Sequence, residues 1–455
     1  MTNILMFMTD DHAQWALPAY GNREIIAPTL TYLANTGVRM ANAFTPTPVC
    51  SPARASFWTG LFPSQHGIHD YINEDDKERE KLDWLGDEVT LASRLQESGY
   101  TTALCGKWHC GNGRKKQPGF DVWQSTGSVT ARYNNLDNEY SDEGEVYRKD
   151  GYETQIITDN AVHFLRERDT EKPFFLFVGY TTTHSPWVNH PERLVSHYRN
   201  CRFEDIPEDT VYHFGRLAGE STLPSRFDER EAQAQYYACV TQIDEQVGRL
   251  LDELDALKLR DDTLVIYTAD HGLNCGHHGV WGKGNGTRPL NMLEESIRVP
   301  LIFNHPGNLF AGQVRSEFTD HTDLFKTVLD YAGINVTGER YPGKSFKTML
   351  TEARADPDWK DVYIGEYGNL RAIRTDRYKL VRRYPSGPNQ LFDLVDDPRE
   401  TRNLFDDPAY GSLIEDLTDR MTSFFNTYQD EHKSGLNVNN LPVHNPVEAW
   451  RGEID

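Results

Sequence analysis

The segment CSPAR, residues 50–54, combines a thiol, a proline and a guanidinium within five positions. Pro52 suits the first turn of an α-helix, because the N–H that proline lacks has no partner there. We therefore predict a helix that continues to Thr59 and ends at Gly60. The amino end of a helix favours an anion, and Arg54 projects over the same turn. The spacing predicts a nucleophile at Cys50 in a positive field; a buried or helix-capping cysteine is the alternative.

Ionisable side chains also follow four apolar runs that we interpret as buried strands. They are Asp10 and Asp11 after NILMFMT, Lys107 and His109 after TTALCG, His184 after PFFLFVGYTTT, and Asp270 and His271 after DTLVIYTA. Ligands of open α/β sheets bind beyond the carboxyl ends of the strands, so these residues indicate one site. Three carboxylates in one site would raise one another's pKa values unless a cation lay among them.

The carboxylates themselves favour a particular kind of cation. Asp10, Asp11 and Asp270 form a hard oxygen set that suits Ca²⁺, Mg²⁺ or Mn²⁺. His271 as a fourth ligand shifts the preference towards Mn²⁺ or Zn²⁺, although one imidazole does not exclude Ca²⁺. Either motif alone, Asp-Asp or Asp-His-Gly, is also typical of a turn or a cap.

Two patterns of elements must position these side chains. Over residues 1–355, apolar runs alternate with amphipathic helices, one of them at about 231–257, and VPLIFNHPG is a further strand. This alternation predicts an α/β fold with a large, mainly parallel central sheet flanked by helices. Over residues 356–455, short alternating strands with turns at TDR and PSGPN precede a helix at about 412–428. They predict a smaller C-terminal subdomain that contains an antiparallel sheet, a helix and an irregular tail.

Taken together, these motifs resemble those of type I sulfatases, a branch of the alkaline phosphatase superfamily. CSPAR is similar to the family's C-x-P-x-R signature, TDDHA to its metal-binding opening, GKWHCG to its G-K-W-H-x-G block, and THSPW to its H-x-P segment. TADHG, followed by VWGKG and EESIRVP, resembles the second metal block, and LFDLVDDPRETRNL resembles a C-terminal segment of the family. The resemblance covers nearly the whole chain. It implies an alkaline phosphatase-like fold and hydrolysis of a sulfate ester.

The resemblance also implies two cofactors. A formylglycine-generating enzyme would oxidise Cys50 to formylglycine, which hydrates and attacks sulfur. A divalent cation, Ca²⁺ with Mn²⁺ or Mg²⁺ as alternatives, would be held by Asp10, Asp11, Asp270, His271 and the modified Cys50. Many members of the family carry Asn where this chain has His271, so the identity of the metal stays open.

The resemblance implies a role for each remaining residue of the site. Arg54 steadies the formylglycine hydrate, and His109 handles the proton of that hydrate. Lys107 and Lys283 bind the sulfate oxygens. His184 stands near the oxygen of the leaving group and, with the two lysines, contacts the substrate.

Four further histidines lie close to these motifs in sequence. His66 and His69 follow the predicted nucleophile helix, and His277 and His278 adjoin the second metal block. We consider His66 and His278 as substrate contacts. The alternatives are a surface loop for the first pair and structural support of the metal ligands for the second.

The net charge of −22 argues against a general nucleic-acid or anionic-membrane binder. No apolar run approaches the length of a membrane span, and MTNILMFMTDD does not resemble a signal peptide. We therefore expect a cytoplasmic protein, or an exported one whose leader has been removed. Six cysteines in this length do not form a disulfide framework. The acidic run NEDDKEREKLDWLGDE is interpreted as a solvated surface.

Two other functions are open at this stage. A phosphonate monoester or phosphodiester hydrolase of the same superfamily also carries C-x-P-x-R, but Lys107 and His109 of GKWH favour a sulfatase. The second alternative function is that of a non-catalytic binding homologue. Against it, every position that the resemblance assigns to catalysis holds a residue able to perform that role.

The alcohol that carries the sulfate is not identified by any motif. We lean towards a carbohydrate sulfate, with an aryl sulfate as the alternative. Specificity is expected in the loops 66–86, 111–150 and 185–225. The tail from Ser434 is a further candidate, and it could wrap a neighbouring subunit of a homo-oligomer.

Overall fold

The computed structural model describes residues 1–127, 138–207, 212–218, 228–352 and 354–451. Its strands are β1 (Asn3–Thr9), β2 (Val38–Met40), β3 (Ala43–Phe44), β4 (Thr101–Gly106), β5 (Val122–Thr126), β6 (Asn138–Asp142), β7 (Glu145–Lys149), β8 (Phe174–Tyr180), β9 (Arg216–Leu217), β10 (Thr263–Ala269), β11 (Asn274–Cys275), β12 (Trp281–Gly282), β13 (Thr287–Arg288), β14 (Leu301–Asn304), β15 (Gln313–Arg315), β16 (Thr319–Asp320), β17 (Tyr363–Tyr367), β18 (Leu370–Arg374), β19 (Tyr378–Arg383) and β20 (Gln390–Asp393). Its α-helices are α1 (Pro28–Thr36), α2 (Cys50–Thr59), α3 (Pro63–His66), α4 (Lys77–Glu80), α5 (Leu91–Glu97), α6 (Glu153–Glu167), α7 (Glu192–Tyr198), α8 (Glu229–Ala256), α9 (Glu294–Ile297), α10 (His321–Tyr331), α11 (Lys347–Thr351) and α12 (Gly411–Tyr428).

The central sheet contains ten strands in the order β15-β2-β14-β10-β1-β8-β4-β5-β6-β7. From β10 to β5 in this order, neighbouring strands run parallel, which confirms the predicted mainly parallel sheet. β14, from the apolar run VPLIFNHPG, is antiparallel to β10. Residues 270–300 connect the carboxyl end of β10 to the start of β14 at the same end of the sheet. Since this connection does not cross to the opposite end, β14 runs antiparallel to β10.

Both faces of the central sheet are buried, as the alternation of strands and helices predicts. Successive side chains of β1 point to opposite faces. Leu5 and Phe7 belong to one hydrophobic cluster with residues of α1, α6 and α8. Met6 and Met8 belong to a second cluster with residues of α2, α5 and α10. The sheet is therefore held between two helical layers, with its strand ends left for the site.

The C-terminal region contains the predicted antiparallel sheet, β17-β18-β19-β20, with turns at TDR and PSGPN. α12 packs on one face of it through Leu417, Met421 and Phe425. The other face packs against Phe44 and Val49 of the larger region. The sheet thus closes against the residue that precedes Cys50. The domain boundary at residue 355 stays a prediction.

The tail from Ser434 folds back on its own chain. The Asn73 amide donates to the His444 carbonyl (3.0 Å), and Asn445 Nδ2 donates to the Tyr71 carbonyl (2.9 Å). The tail therefore covers the segment that follows α3, and homo-oligomer formation stays a prediction. Of the expected specificity segments, residues 128–137, 208–211, 219–225 and 452–455 lie outside the described residues.

No helix in the described ranges has both the length and the apolar character that a membrane crossing requires.

Glu366 of β17 ties the C-terminal sheet to α3. It is fully buried, and it accepts hydrogen bonds from the amide (2.8 Å) and the hydroxyl (2.5 Å) of Ser64. Arg371 lies 3.5 Å from the same carboxylate. We expect Glu366→Ala to lower the free energy of unfolding by about 3 kcal/mol, because it leaves the buried Arg371 without its counter-charge and two donors of Ser64 without their acceptor. Urea denaturation would measure the loss.

The matched control is Glu415→Ala on the exposed side of α12, which should change the unfolding free energy by less than about 0.5 kcal/mol. Equal effects of the two substitutions would contradict a role for the Glu366 carboxylate in joining the two regions.

Candidate active site

The ends of four adjacent strands, β10, β1, β8 and β4, meet at one edge of the central sheet. The ladders extend one residue past the strands: the Asp10 amide donates to the Tyr180 carbonyl (3.0 Å), and the Asp270 amide to the Thr9 carbonyl (3.0 Å). The Lys107 amide donates to the Gly179 carbonyl (2.9 Å). These bonds set Asp10, Lys107 and Asp270 at one level of the sheet, as the strand-end pattern predicts.

The backbone turns sharply just beyond these bonds. Asp11 (φ 54°), His109 (φ 59°) and Thr183 (φ 98°) all adopt positive φ. Such conformations are uncommon for residues other than glycine, and for a β-branched threonine they are strained. The Thr183 hydroxyl donates to the Asp10 carbonyl, which joins two of these turns. Strained backbone held in place by its surroundings is a common feature of functional sites.

Helix α2 presents its first residue, Cys50, to this edge. Val49 precedes it in extended conformation without a side-chain cap, and Pro52 lies in the first turn as predicted. Gly60 ends the helix in the left-handed region (φ 71°), again as predicted. Cys50 is 2% exposed, and all six cysteines are free of disulfide bonds. The helix therefore directs its unpaired amide groups and one thiol at the strand ends.

Arg54 joins the helix to two strand ends. Its Nε donates to Asp270 Oδ2 (2.8 Å), and its Nη1 donates to the Lys107 carbonyl (3.1 Å). The side chain is completely buried. The resemblance implies a role for Arg54 in steadying a hydrate, and the structure adds that it orients a carboxylate of the site.

Two lysines complete the charge balance of the site. The Lys107 ammonium is paired with Asp10. Lys283, from the connection between β12 and β13, donates to Asp11 Oδ1 (2.8 Å) and lies 3.0 Å from Cys50 Sγ. Burial alone would raise the pKa of the Cys50 thiol, but Lys107, Lys283 and His271 hold it well below its usual range. An anion at position 50 is therefore stabilised.

Four buried groups are placed to hold a metal ion. One ligand atom each from Asp10, Cys50, Asp270 and His271 lies within 4.8 Å of the others, and Asp10, Asp11 and His184 form a second such group. Burial and the neighbouring Asp10 raise the pKa of Asp270 to about 6, and a cation bound between the two carboxylates would favour their ionised forms. Carboxylate oxygens with one imidazole fit Ca²⁺, Mg²⁺ or Mn²⁺.

His109 and His184 both lie beside Cys50, and their environments shift their pKa values in opposite directions. Burial and Lys107 lower the pKa of His109 to about 4. Its Nε2 is 3.0 Å from the Ile72 carbonyl, so Nε2 carries the proton and Nδ1 can accept one. Burial alone would lower the pKa of His184, but Asp11 raises it above its usual value. His184 is 27% exposed, which suits a proton donor that faces a leaving group.

The structure does not bring His66 into the site. His66 is buried, its Nε2 bonds Ser56 Oγ (3.1 Å), and its Nδ1 accepts from the Ile68 amide (3.1 Å). Both ring nitrogens are thus occupied by protein groups, and the substrate contact at His66 stays a prediction. His69 is likewise buried, with Nε2 on the Lys433 carbonyl (2.7 Å).

The histidines of the second metal block also bond to protein groups. His278 Nε2 lies 3.1 Å from Glu295 Oε2, and His277 Nε2 lies 3.1 Å from the Asp205 carbonyl. The structure therefore supports the structural alternative for both residues, and it gives the candidate substrate contact at His278 no support.

Two buried carboxyl groups near Lys107 were not expected. Glu74 belongs to the acidic run that was interpreted as solvated, yet it is 2% exposed and burial raises its pKa to about 8. Its Oε1 has no hydrogen-bond partner among the described residues. Glu153 is 1% exposed and accepts from the Thr181 hydroxyl (2.6 Å). Neither lies at a strand end or in a recognisable motif, so the sequence carries no signal for their burial.

Comparison with known proteins decides the family. The sequence profile described as Sulfatase matches residues 2–334. The chain belongs to the sulfatase family. A second profile, N-sulphoglucosamine sulphohydrolase, C-terminal, matches residues 276–427 of this sulfatase.

Relatives of this sulfatase include other named sulfatases. An N-acetylglucosamine-6-O-sulfatase of Bacteroides thetaiotaomicron is 27% identical, covering 94% of this chain and 87% of the relative. A choline-sulfatase of Rhizobium meliloti is 31% identical, covering 89% and 83%. A solved structure in complex with its substrate D-glucosamine-2-N,6-O-disulfate is 26% identical, covers 94% of this chain and 98% of the other, and has a TM-score of 0.83. The chain is a sulfuric ester hydrolase with the alkaline phosphatase-like fold.

The fold alone is shared with the alternative class of enzyme. A phosphonate monoester hydrolase of Agrobacterium radiobacter is 22% identical, covers 93% of this sulfatase and 95% of the other chain, and has a TM-score of 0.71. At this identity the likeness does not extend to activity.

Arg54 supplies a test of the site's geometry. A lysine at this position has one charged nitrogen and cannot hold Asp270 and the Lys107 carbonyl together. We expect Arg54→Lys to lower kcat/KM on p-nitrophenyl sulfate by at least about 100-fold, because small displacements of catalytic groups have effects of that size. Steady-state kinetics would measure the loss, and circular dichroism would confirm the fold.

Arg377→Lys is the matched control, since Arg377 pairs with Asp393 (2.7 Å) on the half-exposed surface of the C-terminal sheet. It should leave kcat/KM unchanged. Wild-type activity in Arg54→Lys would show that the double contact of Arg54 is dispensable.

Proposed function

We propose that this sulfatase releases inorganic sulfate from a saccharide sulfate ester, using a formylglycine derived from Cys50 and a divalent cation. The observation that carries the proposal is the position of Cys50 Sγ. It lies 3.3 Å from Asp10 Oδ1, 3.3 Å from His271 Nε2 and 3.0 Å from Lys283 Nζ. One atom thus faces the metal ligands and a substrate-binding cation. Maturation would require a formylglycine-generating enzyme.

A saccharide is favoured by the relatives' substrates. One relative is named for N-acetylglucosamine 6-O-sulfate, and a structural neighbour was solved with a glucosamine disulfate as its substrate. Both align with more than nine tenths of this chain. An aryl sulfate is the alternative substrate.

Each side chain of the site has a role that its environment supports. Asp10, Asp11, Asp270 and His271 would hold the cation, Ca²⁺ or alternatively Mn²⁺ or Mg²⁺, together with the group at position 50. When present, the formylglycine supplies a nucleophilic oxygen, and the cation supplies positive charge beside it and beside the sulfate. Arg54 holds Asp270 in the orientation that this arrangement needs.

The remaining residues bind sulfate and move protons. Burial disfavours the charged form of Lys107 and Lys283, yet Asp10 and Asp11 raise the pKa values of both, so both ammonium groups can stabilise sulfate oxygens as their charge develops. Burial disfavours the protonated form of His184, but Asp11 raises its pKa above the usual value, so the imidazolium can donate to the departing alcohol. Neutral His109 can accept a proton at Nδ1 from the group at position 50.

The choice between sulfate and phosphonate ester can be tested directly. After co-expression with a formylglycine-generating enzyme, we expect kcat/KM on p-nitrophenyl sulfate to exceed that on p-nitrophenyl phenylphosphonate by more than about tenfold. The expected preference rests on the sulfatase profile over residues 2–334 and on Lys107 and His109, which favour a sulfatase over a phosphonate hydrolase. Intact mass spectrometry would show the loss of one sulfur and two hydrogens and the gain of one oxygen.

Cys50→Ala is the control, and it should hydrolyse neither ester above background. Higher efficiency on the phosphonate would replace the proposal with the alternative class. A matured protein that hydrolyses neither ester and releases no sulfate from glucosamine 6-sulfate would favour a binding homologue.

Removal of the metal supplies a second test. Dialysis against EDTA should abolish hydrolysis and lower Tm, because Asp10 and Asp270 lose their shared counter-charge. A ligand at 100 times its Kd stabilises a protein by about 2.7 kcal/mol, so Ca²⁺, Mn²⁺ or Mg²⁺ returned one at a time should restore Tm measurably. The ion that restores both Tm and activity at the lowest concentration is the cofactor.

Asp270→Asn serves as the control for the site of binding, because its Tm should no longer respond to added metal. Full activity and an unchanged Tm in metal-free wild-type protein would contradict the proposed metal centre.

A further inference from the structure

A cavity of about 890 Å³ lies between the C-terminal sheet and the tail. Its walls come from β13, from the turn after β19 and from the tail over 439–451. This volume is within the range of sites that bind small molecules. None of the residues assigned above to the metal or to catalysis lines it.

The walls are strongly basic in an acidic protein. They include the four arginines Arg216, Arg288, Arg383 and Arg451, and Glu448 is the one carboxylate among the described lining residues. That glutamate is already engaged by His444 and Arg451. The whole chain, by contrast, has 69 acidic and 47 basic residues. The cavity is therefore a local concentration of positive charge.

Arg383 is the most informative of the four. It is 7% exposed, and its guanidinium donates to the Leu290 carbonyl (2.7 Å), the Gln390 side chain (3.1 Å) and the Pro388 carbonyl. Its Nε has no hydrogen-bond partner, and no carboxylate in the described part of the chain pairs with it. Burial lowers its pKa to about 10. A buried cation without an anion is costly, so an anionic ligand would relieve it.

Two other arginines face each other across a short ladder. Arg216 of β9 is the direct partner of Arg288 of β13. Like charges at directly opposed positions destabilise a strand pair. A guanidinium group matches sulfate-like and carboxylate oxygens in geometry, so an oxyanion beside the exposed Arg216 would offset this repulsion.

Aromatic side chains complete the walls. Trp450 and Tyr384 both line the cavity, and Trp450 Nε1 is buried without a hydrogen-bond partner among the described residues. An indole offers an apolar face together with one donor. That combination suits a sugar ring, which has apolar C–H faces and hydroxyl edges.

The cavity lies near the candidate active site. Lys283 and Arg288 are five positions apart in sequence, a reach of at most about 18 Å. Tyr367 lies between the two sites: a Cβ at Gly284 would be 2.9 Å from its ring, and its ring centroid is 6.4 Å from that of Trp450. One aromatic ring thus separates the loop of the catalytic lysine from the cavity wall.

We propose that this cavity binds a second anionic group, a sulfate or a carboxylate, on a sugar that adjoins the one being desulfated. The inference rests on the proposed saccharide function and extends it. The substrate is then a polyanionic oligosaccharide, anchored by the arginines of the C-terminal sheet and tail while the ester lies near Cys50.

Binding of a heparin hexasaccharide to the full-length matured protein tests the proposal by isothermal titration calorimetry. Arg383→Gln and Arg216→Gln should each raise Kd by about tenfold, the size expected for loss of a charge-assisted hydrogen bond. Arg216 is exposed, so its variant retains the fold even if the Arg383 variant does not. Arg377→Gln is the control, and it should bind like wild type.

Unchanged Kd in Arg216→Gln and in folded Arg383→Gln, or no binding by wild type, would overturn the proposal. Release of inorganic sulfate from p-nitrophenyl sulfate and from the hexasaccharide, measured in parallel, separates the two claims. Arginine-dependent binding without release of sulfate from either substrate would support the cavity site and contradict the proposed hydrolysis of a saccharide sulfate. Release of sulfate without arginine-dependent binding would contradict the cavity site and leave the proposed hydrolysis intact.

Discussion

Two carboxylates from distant parts of the chain, Asp10 and Asp270, meet inside the protein, and the rest of the site compensates their charge. At about 4 Å, two unit charges repel by about 4 kcal/mol at an effective dielectric constant of 20. Arg54 pairs with one of them and Lys107 with the other. These contacts leave Asp10 Oδ1 beside Cys50 and Asp270 Oδ1 beside His271. A divalent cation at that place would complete the neutralisation of the two carboxylates.

The architecture follows from the need to bring these charges together. β1 and β10 are adjacent and parallel, so their carboxyl ends deliver both acids to one edge of the sheet. Helix α2 lies against the same edge and adds Cys50 and Arg54. Because the 270–300 connection stays at this end, it carries Lys283 to the site before β14 runs back. The antiparallel direction of β14 thus accompanies the position of Lys283 at the carboxyl end of β10.

The sequence predicted the strand-end residues well because each strand is short, apolar and buried, and its end is marked by charged side chains. The sequence did not predict the burial and contacts of side chains whose partners are distant in sequence. His69 is close to α2 in sequence, yet its Nε2 lies on the carbonyl of Lys433, 364 positions along the chain. Glu74 lies in a charged run, yet it is buried while its neighbour Asp75 is exposed. No local pattern encodes such partners.

Net charge and local charge act at different ranges, which explains how an acidic protein can bind anions. Exposed charges are screened beyond a Debye length of about 8 Å at physiological ionic strength, whereas buried lysines such as Lys107 and Lys283 keep their influence on a bound sulfate. The acidic surface limits non-specific attachment of polyanions. An anion is therefore favoured only where several cations converge. Lys107, Lys283 and the helix end at Cys50 form one such place, and the cavity that contains Arg383 forms another.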